Sequence, residues 1–332
     1  MAGALALGGA AAACGLPAGS PGPWRGALAW SALTLAQDGG RPVGPLGAAV
    51  AGARLAVLDS FGGRLLVWAW AGGWRGPTAV GVPGAARPLA TLALAPPGSA
   101  ALAAVGDAAG GVWTLGSGGA ANRVLSLPSS PGLARSVISL AWPPGGPVVA
   151  DVVQVTDNRS ERLLLTPGEG AAGRVLAKAE LASQGPAAAP AGWLIPTGGV
   201  RSALGTDGPG AVWLVGARGG RPELVRVGLN GRFAFRGPLP PSLPRPVDFL
   251  GVAAGGQAFA VAGAGGPAPA LVAFRPGGPV EGALPLPPGP GPALPHPAAV
   301  DGRGALLVLS AGSESLDLRY LPPGRLPRPK SP

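Results

Sequence analysis

The sequence predicts an all-β chain assembled from repeated sheets, and three observations carry that expectation. First, 60 glycines and 42 prolines punctuate a 332-residue chain that is nonetheless 47% hydrophobic. A disordered chain lacks that apolar content, because it cannot bury enough surface to offset its conformational entropy. Second, Val/Leu-rich runs of strand length recur between the Gly/Pro clusters. Third, five of the nine aspartates (Asp59, Asp107, Asp157, Asp207 and Asp301) each follow a β-rich run and precede a small turn. Asp suits that place because its carboxylate accepts backbone N–H groups just ahead of it. A repeat of about 40–50 residues with roughly four strands per unit is the pattern of a β-propeller.

The chain opens with "MAGALALGGAAAACG", a small and apolar stretch ending at the only cysteine, Cys14. A single cysteine excludes an internal disulfide framework and a cysteine-based metal site. Residues 1–14 resemble a bacterial lipoprotein signal, with Ala11, Ala12 and Ala13 leading to the residue that becomes acylated. There is no basic segment ahead of them, and no Leu three residues before the cysteine. The resemblance implies lipid attachment at Cys14, with 15–25 as a Gly/Pro/Ser tether. The alternative is an Ala-rich first element with an incidental buried thiol. Nothing later reaches the roughly 18 apolar residues of a spanning helix, so the expected membrane contact is a lipid anchor only.

Six units follow within 26–323, at about 46–84, 88–130, 133–182, 192–240, 246–288 and 296–323; the imperfect register also allows five or seven. In the second unit "PLATLALA", "SAALAAVG", "GVWTLG" and "NRVLSLP" are four candidate strands. The fifth reads "VDFLGVAA", "QAFAVAGA", "ALVAFRPGG" and "VEGALPL". The last unit holds only about three strands, whereas "GALAWSALTLA" (26–36) is one strand without a unit. A ring closes when a strand from one end completes the sheet made by the other, which removes an exposed edge. The expectation is therefore that 26–36 completes the last sheet. The Pro-rich stretches "PLPPSLPRP" and "LPLPPGPGPALPHP" are expected to be stiff connections, and 324–332 a Pro/Arg-rich tail.

"VGDAAGGVWTLG" (105–116) is echoed a hundred residues later by "GTDGPGAVWLVG" (205–216). The pattern D-x-x-G-x-V-W, at Asp107–Trp113 and Asp207–Trp213, resembles propellers of the NHL and YncE-like type. That resemblance implies a six-bladed propeller of the kind found among secreted or lipid-anchored bacterial proteins. Asp107 and Asp157 are expected between second and third strands, Asp207 and Asp301 between first and second.

The net charge is +10, and only Lys178 and Lys330 are lysines. Such a chain is drawn to polyanions, but its arginines are scattered and no nucleic-acid-binding motif accompanies them. A composition rich in Ala, Gly, Pro and Arg is the plainer account, and nucleic acid is not an expected partner.

No catalytic, cofactor or metal set emerges. His296, the only histidine, lies between prolines, so no His-based triad or metal cluster can be assembled locally. The carboxylates are expected to serve turns or ion pairs such as Glu161–Arg162. Lactonase-like propellers hold a divalent ion through Glu, Asn and Asp, yet Asn122, Asn158 and Asn230 sit in no matching motif. Trp68, Trp70, Trp113 and Trp213 are expected to fill the wedges between sheets. Trp74 and Arg75, in a turn, are the candidate ligand-binding residues. The expected function is a non-enzymatic, monomeric, extracytoplasmic platform binding a protein, glycan or small ligand. Two alternatives stand beside it: a lactonase-like or lyase-like hydrolase using acidic residues at the channel, and a cytosolic protein-interaction propeller; for localisation, secretion or the cytoplasm is the alternative to the lipid anchor.

Overall fold

The computed structural model describes residues 31–321 apart from 37–44, 72–73, 128, 157–159, 169–172, 182–199, 219–220, 265, 267, 287–297 and 312–314. Cys14, Asp157 and His296 lie outside the described residues, as do 26–30 of the expected closing strand. Every regular element among the described residues is a strand. β1 (Ser31–Ala36) is followed by a sheet of β2 (Pro45–Ala51), β3 (Arg54–Asp59), β4 (Arg64–Trp70) and β5 (Trp74–Gly81). The next is β6 (Leu89–Leu94), β7 (Ala101–Asp107), β8 (Gly111–Gly116) and β9 (Ala121–Ser126), the four strands expected from sequence. Then come β10 (Leu133–Ala141), β11 (Val149–Thr156), β12 (Ser160–Thr166) and β13 (Arg174–Leu181).

The fourth unit departs from this pattern. β14 (Val200–Ser202) leaves it, and β15 (Ala211–Arg218), β16 (Arg221–Gly228) and β17 (Phe233–Pro238) remain as a three-stranded sheet. β14 pairs in parallel with β18 (Val247–Val252), which continues into β19 (Ala258–Ala262), β20 (Ala270–Phe274) and β21 (Val280–Pro285). The last sheet is β22 (Ala298–Val300), β23 (Leu306–Ala311) and β24 (Ser315–Leu321), with β1 as its outermost strand. β1 pairs antiparallel with β24 from Ser31↔Tyr320 to Ala36↔Ser315, so the N-terminal strand closes the ring.

The described strands thus make six sheets, and the packing between them shows the propeller. Each apolar core cluster joins one sheet to the next. Val67 and Val80 meet Leu92 and Val105, for example, and Phe259 and Leu271 meet Leu306 and Val308. A further cluster, with Val57, Trp68, Leu318 and Tyr320, joins the first sheet to the last. Inner strands are covered on both faces, so they read as mostly apolar runs, whereas outer strands such as β5 are largely exposed. β18 is buried at all six positions.

Within a sheet consecutive strands are antiparallel, so first-to-second and second-to-third turns lie at opposite ends of the ring. Asp59 and Asp107 end the second strands of their sheets, whereas Asp301 follows the inner strand β22. Asp207 lies between the segment 203–205 and β15, at the same end as Asp301. The hundred-residue echo is therefore no structural equivalence. Trp113 stands on a third strand and packs toward the first sheet. Trp213 lies on the strand after the 203–205 segment and packs toward the sheet that begins at β18. The shared motif records one solution to a turn, used at opposite ends of the molecule.

Candidate functional site

The inner strands surround a channel of roughly 460 Å³. Its walls are the segments 47–52, 90–94, 139–142, 203–208 and 298–303, with Leu250 and Ala254 from the fifth unit. These inner strands send side chains sideways into the cores between sheets, Leu92 and Leu94 meeting Ala49 and Ala51 in one and Ala48 and Ala299 joining another.

Segment 203–208 lines the channel on one side. The Leu204 amide donates to Ser139 Oγ at 2.8 Å, which ties it to β10. Gly205 lies so close to Gly251 that a Cβ on it would stand 2.5 Å from the Gly251 Cα. A Cβ on Gly302 would meet the Thr206 carbonyl oxygen at 3.1 Å. Three glycines thus let three backbones meet where side chains would hold them apart.

At the mouth formed by the first-to-second turns stand Asp207, Asp301, Arg303 and Trp142. Asp301 is buried, and its carboxylate accepts the amides of Gly52 (3.0 Å), Arg303 (2.9 Å) and Ala305 (2.8 Å). Trp142 donates its indole N–H to the Gly146 carbonyl, and Thr206 donates its hydroxyl to the Gly208 carbonyl. Asp301, Trp142 and Thr206 therefore hold backbone. Asp207 is half-buried and Arg303 exposed. No group of three or more His, Cys, Asp or Glu side chains gathers among the described residues.

The opposite end has the same economy of carboxylates. Asp107 accepts the amides of Ala86, Ala109 and Gly111 and the indole N–H of Trp113, at 2.7–3.2 Å. Asp59 accepts the Gly62 amide at 3.0 Å and Arg64 Nε at 2.7 Å. The expected pair Glu161–Arg162 is not formed. Adjacent residues of a strand point to opposite faces, so Arg162 meets Asp151 on one face of the sheet and Glu161 meets Lys178 on the other, both buried. Asp151 and Arg162 are 0% and 3% exposed and meet through two hydrogen bonds, at 2.8 and 2.5 Å.

Of the tryptophans expected in the core, Trp68 and Trp213 are buried and Trp113 is half-buried. Trp70, at the end of β4, is 48% exposed. Trp74 packs edge-on against Tyr320, with centroids 4.7 Å apart, and against Trp70 at 5.3 Å. It fills the seam between first and last sheets, while Arg75 points to solvent. Sequence reading missed the channel residues, which come from separate units.

No protein-family model matches this chain, and no curated protein matches its sequence. Among solved structures it is similar to virginiamycin B lyase from Staphylococcus aureus, at TM-score 0.49 and 13% identity over 89% of this chain and 100% of that one. It is also similar to the lectin of Aleuria aurantia, a six-bladed β-propeller with fucose recognition. There the TM-score is 0.46 and the identity 14% over 84% and 91% of the two chains. A third is the WD40 domain of SCAP from fission yeast, at TM-score 0.39 and 15% identity over 87% and 69%. These likenesses concern the fold, which hosts unrelated functions.

Proposed function

We propose that this chain is a non-enzymatic binding platform, a six-bladed propeller held outside the cytoplasmic membrane by a lipid on Cys14, whose ligand enters the channel mouth. One observation carries the reading. The channel is walled mostly by Ala, Gly, Val and Leu, and of the two carboxylates at its mouth the buried one, Asp301, is engaged by three backbone amides, which leaves Asp207 as the one to test for chemistry. General acid–base or metal chemistry needs carboxylates free to take a proton or an ion. A concave, mostly apolar cavity with a few polar groups at its rim is instead the usual form of a binding site.

The test is turnover. The purified protein is offered lactone, ester and glycoside panels with and without Mg²⁺, Ca²⁺ or Zn²⁺, beside Asp207→Asn. No turnover is expected. Turnover that Asp207→Asn removes would replace the platform with the propeller-enzyme alternative.

A further inference from the structure

The hairpin 205–216 repeats the hairpin 105–116 in backbone as well as in sequence. Val105 pairs with Trp113 in one, and Gly205 pairs with Trp213 in the other. Gly110 and Gly210 turn at φ 76° and 77°. Their carbonyls accept the amides of Leu127 and Leu229, both at 3.0 Å. The two carboxylates nevertheless differ. Asp107 accepts the amides of Ala109 and Gly111 and the indole N–H of Trp113. Among the described residues Asp207 accepts no hydrogen bond and forms no ion pair, and Trp213 Nε1 is buried without a partner.

Two differences between the copies favour that release. Ala109 is matched by Pro209, which has no N–H to give. Gly106 is matched by Thr206, whose hydroxyl donates to the Gly208 carbonyl at 3.0 Å and ties the turn in the carboxylate's place. Asp207 is thus spared turn duty while it stays half-buried.

Three charged residues line the channel: Asp207, Asp301 and Arg303. Asp301 is engaged by three amides. Arg303 is exposed and forms no ion pair with Asp207, although a Cβ on Gly302 would stand 3.9 Å from the Asp207 Cα. Asp207 therefore brings an uncompensated negative charge to a mostly apolar recess, where a counter-charge is worth more than in open water. A divalent ion would ask for roughly six oxygen ligands. No group of three or more His, Cys, Asp or Glu gathers among the described residues. An organic cation needs only one carboxylate. Trp142 lines the same channel with its N–H given to the Gly146 carbonyl, so its ring is what remains for a ligand, and aromatic rings attract cations.

We propose that Asp207 is the recognition residue of the channel and binds the ammonium group of an organic cation. The proposal rests on the platform reading and names its ligand class.

The probes are n-hexylammonium, hexanol and hexanoate, which share a chain and differ in charge, each titrated by calorimetry against the whole protein. Hexylammonium should bind roughly tenfold tighter than hexanol, the gain of one charge-assisted hydrogen bond, and hexanoate more weakly than either. Asp207→Asn should erase the preference for the ammonium without lowering the melting temperature. Asp107→Asn, at the matching position, should lower the melting temperature and leave the preference intact. No binding of hexylammonium, equal binding of hexanol, or a preference that survives Asp207→Asn overturns the proposal and leaves the platform reading standing. A fall in melting for Asp207→Asn as large as that for Asp107→Asn also overturns it, by returning Asp207 to a turn role. The platform reading fails separately, through turnover that Asp207→Asn removes.

Discussion

The Asp301 carboxylate accepts the Gly52 amide at 3.0 Å across 249 residues of sequence, joining the last sheet to the first beside the channel mouth. The same carboxylate forms its own turn through the amides of Arg303 and Ala305. One side chain therefore shapes a turn and seals a ring. Asp107 repeats the device at the other end, where its bond to the Ala86 amide reaches the connection between first and second sheets.

Asp301→Ala and Asp107→Ala should each cost more than the loss of a simple turn bond, because buried donors are left without acceptors. About 1–3 kcal/mol apiece is expected from chemical denaturation. The two sites lie in different sheets and share no partner, so the double variant should cost the sum. A cost below that of one ordinary hydrogen bond would show that water replaces the carboxylate.

Removal of 31–36 strips the outer strand from β24 and leaves its edge open. The truncated protein should melt lower and aggregate, since an exposed strand edge is a template for pairing with other chains. Light scattering during a thermal ramp checks this. Unchanged scattering and melting would remove β1 from the account of ring closure.

The Asp151–Arg162 pair is nearly inaccessible to solvent. Arg162→Met should destabilise by about 3–5 kcal/mol, because a carboxylate is left buried without its cation. Combining it with Asp151→Leu should recover most of that loss, since well-packed apolar residues often replace a buried pair at little cost. Urea unfolding of the single and double variants tests both statements.

Tyr320 is the only tyrosine, so a near-ultraviolet titration of tyrosinate reports on it alone. Burial in the seam, and then the charge of Asp301, raise its pKa above the ordinary value of 10.0. A folded-state value above the unfolded one contributes stability that is full below pH about 10. That contribution is lost as the pH rises through the folded value. Asp301→Asn should lower the midpoint only partway, since burial, the larger cause, remains.

On the proposed lipid attachment, Cys14→Ala should move the protein from the membrane fraction to the soluble one, because stable anchoring takes acyl chains. Equal partition of the wild type and the variant would end the lipoprotein proposal.

The sequence by itself determined the fold class, the strand runs of the second and fifth units, and the need for an N-terminal strand to close the ring. Those features are local or additive: apolar runs of strand length, turn residues between them, and a last unit one strand short. It also placed Asp107 and Asp301 in different turns of their units, since each turn is flanked by its own two runs. Only the tertiary structure decided what lies side by side. That Arg162 meets Asp151 and Glu161 meets Lys178 follows from strand register, which no single strand specifies. The migration of β14 onto β18 depends on the close approach of Gly205 to Gly251, two positions whose meeting is invisible along the chain. The channel likewise arises because inner strands from separate units face one axis. Its bore is a property of the closed ring, set when distant backbones come within hydrogen-bonding reach.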